Sequence, residues 1–192
     1  MHPITSFSEL TKHLQNTNER KHLVVVNPSD VQTFEAVLRA VDAGLVHATM
    51  LGDSKHYDMA FIEAHPMLEF IECKDLKAAS ERAVAMVKAG DGDILMKGLV
   101  NTDVLLKAIL SKEHGLVPYG NVVTFIAAME IPSYPKLLFM SDPAVIPAPN
   151  LRQRTAMIEY AVRMTGNFGI ARPKIALLHG TEKPNPKLNF MD

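Results

Sequence analysis

The chain has 192 residues, 47% of them hydrophobic and 21% charged, which suits a soluble folded protein with one well-buried core or two small domains. Twenty Lys and Arg against 21 Asp and Glu leave a formal net charge of −1, and the longest basic run is Arg20-Lys21-His22, so the clustered positive excess that nucleic acid requires is missing. The single cysteine, Cys73, excludes an intrachain disulfide and a Cys-based zinc cluster, and no apolar stretch approaches the ~18–20 residues of a membrane helix. One thiol, eleven methionines and no secretory pattern at the N-terminus lead us to expect a cytoplasmic protein, with no membrane and no nucleic acid among its partners.

The hydrophobic pattern alternates between two periods along the chain. His22-Leu23-Val24-Val25-Val26 is a continuous, largely β-branched run of the kind a strand buried on both faces requires. Asn27-Pro28-Ser29-Asp30 supplies turn chemistry with Asp30 as an N-cap, and Val31, Phe34, Val37, Leu38 and Val41 follow at helical spacing up to Gly44. Ala48 to Leu51 reads as a second strand and Leu68 to Ile71 as a third. Asp75 to Ala89 is an amphipathic helix closed by Gly90. Ile94 to Met96 forms the next strand, and Thr102 is expected to cap a helix that buries Leu105, Ala108 and Ile109. Strands alternating with helices of this length predict an α/β fold built on a parallel sheet covered on both sides.

Beyond Gly115 the texture changes. Two apolar runs, Asn121 to Met129 and Leu137 to Met140, flank Ile131-Pro132-Ser133-Tyr134-Pro135 and predict a hairpin. Three prolines between Pro143 and Pro149 exclude regular helix there. Asn150 caps a helix to about Phe168, and Lys174 to Leu178 reads as a last strand. We therefore expect a first α/β domain over 1–118, lacking its C-terminal return, and a partial second α/β domain over 119–192.

In a parallel α/β sheet, ligands collect where strands end and helices begin. One such end is Met96-Lys97-Gly98-Leu99-Val100-Asn101-Thr102. Its glycine permits close backbone approach, its lysine carries a full positive charge, and the N–H groups at the helix start near Asn101 and Thr102 favour an anion. The same residues also fit an ordinary turn. A second end, Ser141-Asp142, places a carboxylate after an apolar strand, where it meets a ligand or caps a turn. The third, His179 to Lys187, gathers Glu182, Lys183, Asn185 and Lys187 between stiffening prolines, or is a solvated loop. The eight histidines are scattered without metal-ligand spacing, and neither a dinucleotide nor a P-loop fingerprint occurs, so no metal is expected. Cys73 reads as a structural thiol.

Several blocks add a resemblance to these physical readings. Asp93-Ile94-Leu95-Met96-Lys97-Gly98-Leu99-Val100-Asn101-Thr102 is similar to a segment of phosphate butyryltransferases. So, in the same order, are Glu130-Ile131-Pro132, Leu137-Leu138-Phe139, Ser141-Asp142-x-Ala144, Arg172 to Leu178, Glu182-Lys183 and Asn185-Pro186-Lys187. Ala43-Gly44-Leu45 and Leu51-Gly52-Asp53 are similar at lower specificity. The chain thus resembles the phosphate acetyl/butyryltransferase family.

That resemblance implies a two-domain α/β/α fold of the isocitrate/isopropylmalate-dehydrogenase-like type, incomplete at the C-terminus, with its active site in the interdomain cleft and a homodimeric assembly. It implies transfer of an acyl group between coenzyme A and phosphate, with the coenzyme A thioester as a substrate and no permanently bound cofactor. Lys97, Gly98, Asn101 and Thr102 would hold phosphate, while Asp142, Glu182, Lys183, Asn185 and Lys187 are further cleft candidates. Ile146 stands where the family usually carries Asn, and Phe125 where butyryltransferase-like sequences often have His. The family's later Ser-Arg-x-Asp motif has no counterpart in these 192 residues. The expectation is a C-terminally truncated acyltransferase with little activity of its own; the alternative is a non-catalytic remnant that binds coenzyme A or a partner. A related dehydrogenase would need a metal-binding Asp-x-x-x-Asp cluster, which is absent.

Overall fold

The computed structural model describes residues 2–17 and 19–178. In chain order it contains α1 (Phe7–Asn16), β1 (Lys21–Val26), α2 (Val31–Asp42), β2 (Val46–Gly52), α3 (Met59–Ala64), β3 (Leu68–Glu72), α4 (Leu76–Ala89), β4 (Ile94–Lys97), α5 (Thr102–Ile109), β5 (Ile126–Met129), β6 (Leu138–Ser141) and α6 (Leu151–Asn167). Two compact units emerge: Thr11–Asn121, and the described residues of Met1–Leu10 with Val122–Asp192.

In the unit Thr11–Asn121, the strands form a parallel sheet in the order β3-β2-β1-β4. β1 is central because its run of Val24, Val25 and Val26, all at 0% exposure, must be covered on both faces. Pleating sends Leu23 and Val25 to one side, where they pack with Ala48 and Met50 of β2, Val37 and Val41 of α2, and Ile62 of α3. Val24 and Val26 point the other way, against Leu51, then Ala79, Ala83 and Val84 of α4, and Leu105 and Ala108 of α5. Each fully buried valine is worth roughly 1.5–3 kcal/mol relative to exposure, so this double-faced strand dominates the unit's stability.

Three aspartates start helices, Asp30 and Asp75 where the sequence suggests and Asp58 at the unexpected α3. Asp30, Asp58 and Asp75 each accept a hydrogen bond from the N–H three residues on, belonging to Thr33, Phe61 and Ala78. α4 stops at Gly90, whose φ of 88° suits glycine. α5 differs from expectation: Asn101, not Thr102, occupies the N-cap and makes no side-chain capping bond, while Thr102 is the first helical residue. Two helices are additions to the sequence reading. α3 is six residues long, too short to leave a periodic signal; α1 does carry one, with Phe7, Leu10 and Leu14 at helical spacing, although it buries none of its residues.

The other unit contains the expected hairpin, β5 antiparallel to β6, in the register Ile126↔Ser141 to Met129↔Leu138. α6 begins with a full capping box, Asn150 and Gln153 exchanging side-chain bonds with each other's backbone. Ile4, Leu137 and Phe168 form the buried centre, where the rings of Phe139 and Phe168 meet edge to face with centroids 5.0 Å apart. The strand expected over 174–178 is not formed. Leu177 and Leu178 are 75% and 91% exposed, because an apolar run becomes a strand only where a neighbour accepts its hydrogen bonds, and no described residue does so.

Replacing Asp75 by Ala should destabilise the parallel-sheet unit by about 1 kcal/mol, the usual effect of losing an N-cap, and lower its urea midpoint without changing the slope.

Candidate functional site

The C-terminal ends of β1, β2 and β4 lie side by side because the three strands are parallel neighbours. Lys97 is the last residue of β4 and is exposed; its Nζ curls over the following loop and donates to the carbonyls of Val100 at 3.0 Å and Gly98 at 3.3 Å. Gly98 is buried, and a Cβ there would collide with the carbonyl oxygen of Asn27 at the end of β1, so only glycine fits. Asn101 and Thr102 are exposed at the start of α5, whose first-turn N–H groups have no side-chain cap. Lys97, Gly98, Asn101 and Thr102 therefore form one loop with a positive end, open backbone donors at a helix start and no bulk in the middle.

Negative charge lies close by. Asp30 caps α2 through Thr33 N–H at 2.8 Å; the Thr33 hydroxyl first, then this bond, and to the least extent the Lys97 ammonium, hold its carboxyl below the usual carboxylate range. Asp103, in the first turn of α5, is held by Lys107 at 3.3 Å. On the β2 side, the Tyr57 hydroxyl is buried with no hydrogen-bond partner, and burial, helped by Asp30 and Asp53, pushes it up to about 12. Neither Asn27 nor Tyr57 was singled out from the sequence as a site residue. Asn27 has one legible signal, a turn-forming residue directly after a buried strand; Tyr57 has none.

Asp142 follows β6 in the other unit, and its oxygens are engaged locally. One accepts from the Thr124 hydroxyl at 2.7 Å and Phe125 N–H at 3.0 Å; the other accepts from Ala144 N–H at 2.8 Å and Val145 N–H at 2.7 Å. Desolvation opposes the charged form, but these bonds outweigh it and hold the carboxyl well below the usual carboxylate range. Asp142 thus ties the chain entering β5 to the proline-rich loop leaving β6. Glu182, Lys183, Asn185 and Lys187 lie outside the described residues.

A groove of about 920 Å³ runs between α4 and α5, with Val84, Ala85, Val104 and Ala108 inside and Lys77, Lys88 and Lys107 at its rim; it does not include the loop 97–102. Among the described residues, no group of three His, Cys, Asp or Glu side chains converges as a metal site. Cys73 donates weakly to the Asp75 carbonyl at 3.6 Å and packs on the α4 side of the sheet, a structural position. No helix of the described residues is long and apolar enough to cross a membrane.

Sequence and structure comparisons give this α/β chain a family. Residues 74–190 match the phosphate acetyl/butaryl transferase family, and the chain belongs to it. It is 33% identical over 171 residues to a phosphate acetyltransferase of Thermotoga maritima, covering 88% of this chain and 58% of that protein. It is 31% identical over 190 residues to a phosphate butyryltransferase of Clostridium acetobutylicum, covering 96% of this chain and 62% of the relative. The crystal structure of a branched-chain phosphotransacylase from Enterococcus faecalis V583 superposes with a TM-score of 0.73 at 26% identity, over 87% of this chain and 59% of that one. The chain thus spans about three fifths of the length of the relatives it matches.

Because the folded-state pKa of Asp142 is depressed, its stabilisation is complete above the unfolded carboxylate value of roughly 3.9 and disappears as pH falls from there through the folded value. Asp142→Asn should therefore loosen the hairpin unit at neutral pH. Its gap from the parent should narrow as the buffer is taken below about pH 4. Amide dispersion of Phe125, Ala144 and Val145 against pH measures this, and a gap independent of pH would remove the carboxylate from that role.

Proposed function

We propose that this chain acts in acyl transfer between coenzyme A and inorganic phosphate, acyl-CoA + phosphate giving acyl phosphate + CoA, with Lys97, Gly98, Asn101 and Thr102 holding the phosphate. The observation that carries this reading is the exposed Lys97 ammonium beside an uncapped helix start, inside the segment that matches the family. In the forward direction a phosphate oxygen attacks the thioester carbonyl, and the C–S bond then breaks to release the thiolate. A phosphate held at this loop would be fixed for attack, with part of its charge offset by one lysine and by backbone donors. The carbonyls that now accept from Lys97 are neutral, so a dianion competes for the ammonium by offering charge-assisted bonds in their place. A butyryl or acetyl group, a homodimeric assembly and contributions from Glu182, Lys183, Asn185 and Lys187 complete the proposal. The activities of the relatives and the blocks resembling the family support it.

Titrating phosphate into the labelled chain should shift amide signals at Gly98 to Thr102 first. Lys97→Ala should weaken that binding about tenfold, as loss of one charge-assisted contact does. Asp30→Asn keeps an N-capping side chain but removes the negative charge near Lys97, and should tighten it. Shifts spread evenly over exposed lysines would end the assignment. For transfer itself, thiol release from butyryl-CoA or acetyl-CoA that requires phosphate supports the reaction. Phosphate binding without thiol release would favour a binding role.

A further inference from the structure

Asn27 holds a backbone conformation and a set of bonds that its place at a strand end does not demand. It is the one described non-glycine residue with positive φ, 51°, and it is 8% exposed. Its N–H continues the β1–β2 ladder by donating to the Leu51 carbonyl at 2.7 Å. Its carbonyl then accepts from Leu99 N–H at 2.7 Å, and its side-chain Nδ2 donates to the Leu99 carbonyl at 2.6 Å. Both polar backbone groups of Leu99 are thus held by the single residue that follows β1.

Two missing side chains make room for this clamp. A Cβ on Gly98 would strike the Asn27 carbonyl, and a Cβ on Gly52 would come within 3.3 Å of Asn27 Oδ1 and 2.9 Å of the Tyr57 hydroxyl. The side chain of Leu99 is 59% exposed and anchors nothing. The clamp therefore fixes the two peptides flanking Leu99. The Gly98 carbonyl belongs to the first of these peptides and the Val100 carbonyl follows the second, and both receive the Lys97 ammonium; Val100 N–H closes the turn onto the Gly98 carbonyl at 2.9 Å.

We infer that Asn27 is a positioning residue for the phosphate loop: through Leu99 it sets where Lys97 and the start of α5 stand relative to each other. This rests on the reading of Lys97 to Thr102 as the phosphate site. The residue type is specified from two sides. Left-handed φ is tolerated by Gly, Asn and Asp, and a donor toward the Leu99 carbonyl eliminates Gly and ionised Asp.

Asn27→Gly keeps the backbone freedom and deletes the amide; Asn27→Asp keeps size and backbone preference but turns a carboxylate toward the Leu99 carbonyl. With inorganic phosphate as probe, both should bind about tenfold more weakly than the parent, the size of one lost hydrogen bond of good geometry. Leu99 N–H should lose hydrogen-exchange protection in both, while the amides of Val24 to Val26 keep theirs, which a general loss of fold would not allow. Parental affinity in both variants, with parental binding at Gly98 to Thr102, would overturn the positioning role and leave the phosphate site standing. Absence of phosphate binding at that loop in the parent would overturn the site and this inference together. Weakened binding accompanied by equal loss of protection in Val24 to Val26 would also overturn it, since the effect would then be on the fold.

Discussion

The burial of β1 on both faces is the constraint from which the rest of the parallel-sheet unit follows. A strand whose valines are inaccessible from either side needs a helix layer above and below, and parallel neighbours left and right to take its backbone bonds. Parallel pairing in turn brings the C-terminal ends of β1, β2 and β4 to one edge, so that Asn27, Gly52 and Gly98 meet. No local preference of these residues produces that meeting. It is a consequence of registering Val24 against Thr49 on one side and Leu95 on the other. The same pairing has a polar end: His22 stacks on His47 at 4.2 Å and bonds the buried Thr49 hydroxyl at 2.7 Å, which in turn donates to Glu69 at 3.1 Å.

Two carboxylates show how differently the same group is used once the backbone around it is fixed. Asp142 meets hydrogen-bond donors at both oxygens and stays ionised as a knot between a strand entry and a loop. Asp30 is satisfied mainly by its own helix, and the Lys97 ammonium is only the smallest of the influences on its carboxyl. The proposed phosphate loop therefore carries one lysine, with Asp30 and the Lys107-paired Asp103 close by.

Much of the architecture was legible before any coordinates. The alternation of β-branched runs with amphipathic stretches is a direct record of which faces must be buried, and Asp30, Asp75 and Asn150 announce their helices because a side-chain acceptor three residues before a free N–H is a local device. Local devices fail where local energies are small. α3 is too short to show a period, and the Asn101–Thr102 boundary turns on one uncapped residue. The run Lys174 to Leu178 has a strand's composition and no strand, because a ladder is a property of pairs.

The candidate site divides in the same way. Sequence by itself determined the α/β class, the lysine and glycine at a strand end, the helix that follows, and the family, since each is written in side-chain types at fixed spacing. Tertiary structure alone decided that Lys97 folds over its own loop, that Asp30 faces it, that Asp142 is already engaged, and that Asn27 grips Leu99 from 72 positions away. Chain spacing carries no record of such contacts. They arise when strand register fixes which ends become neighbours, and register is set by the burial of the whole sheet.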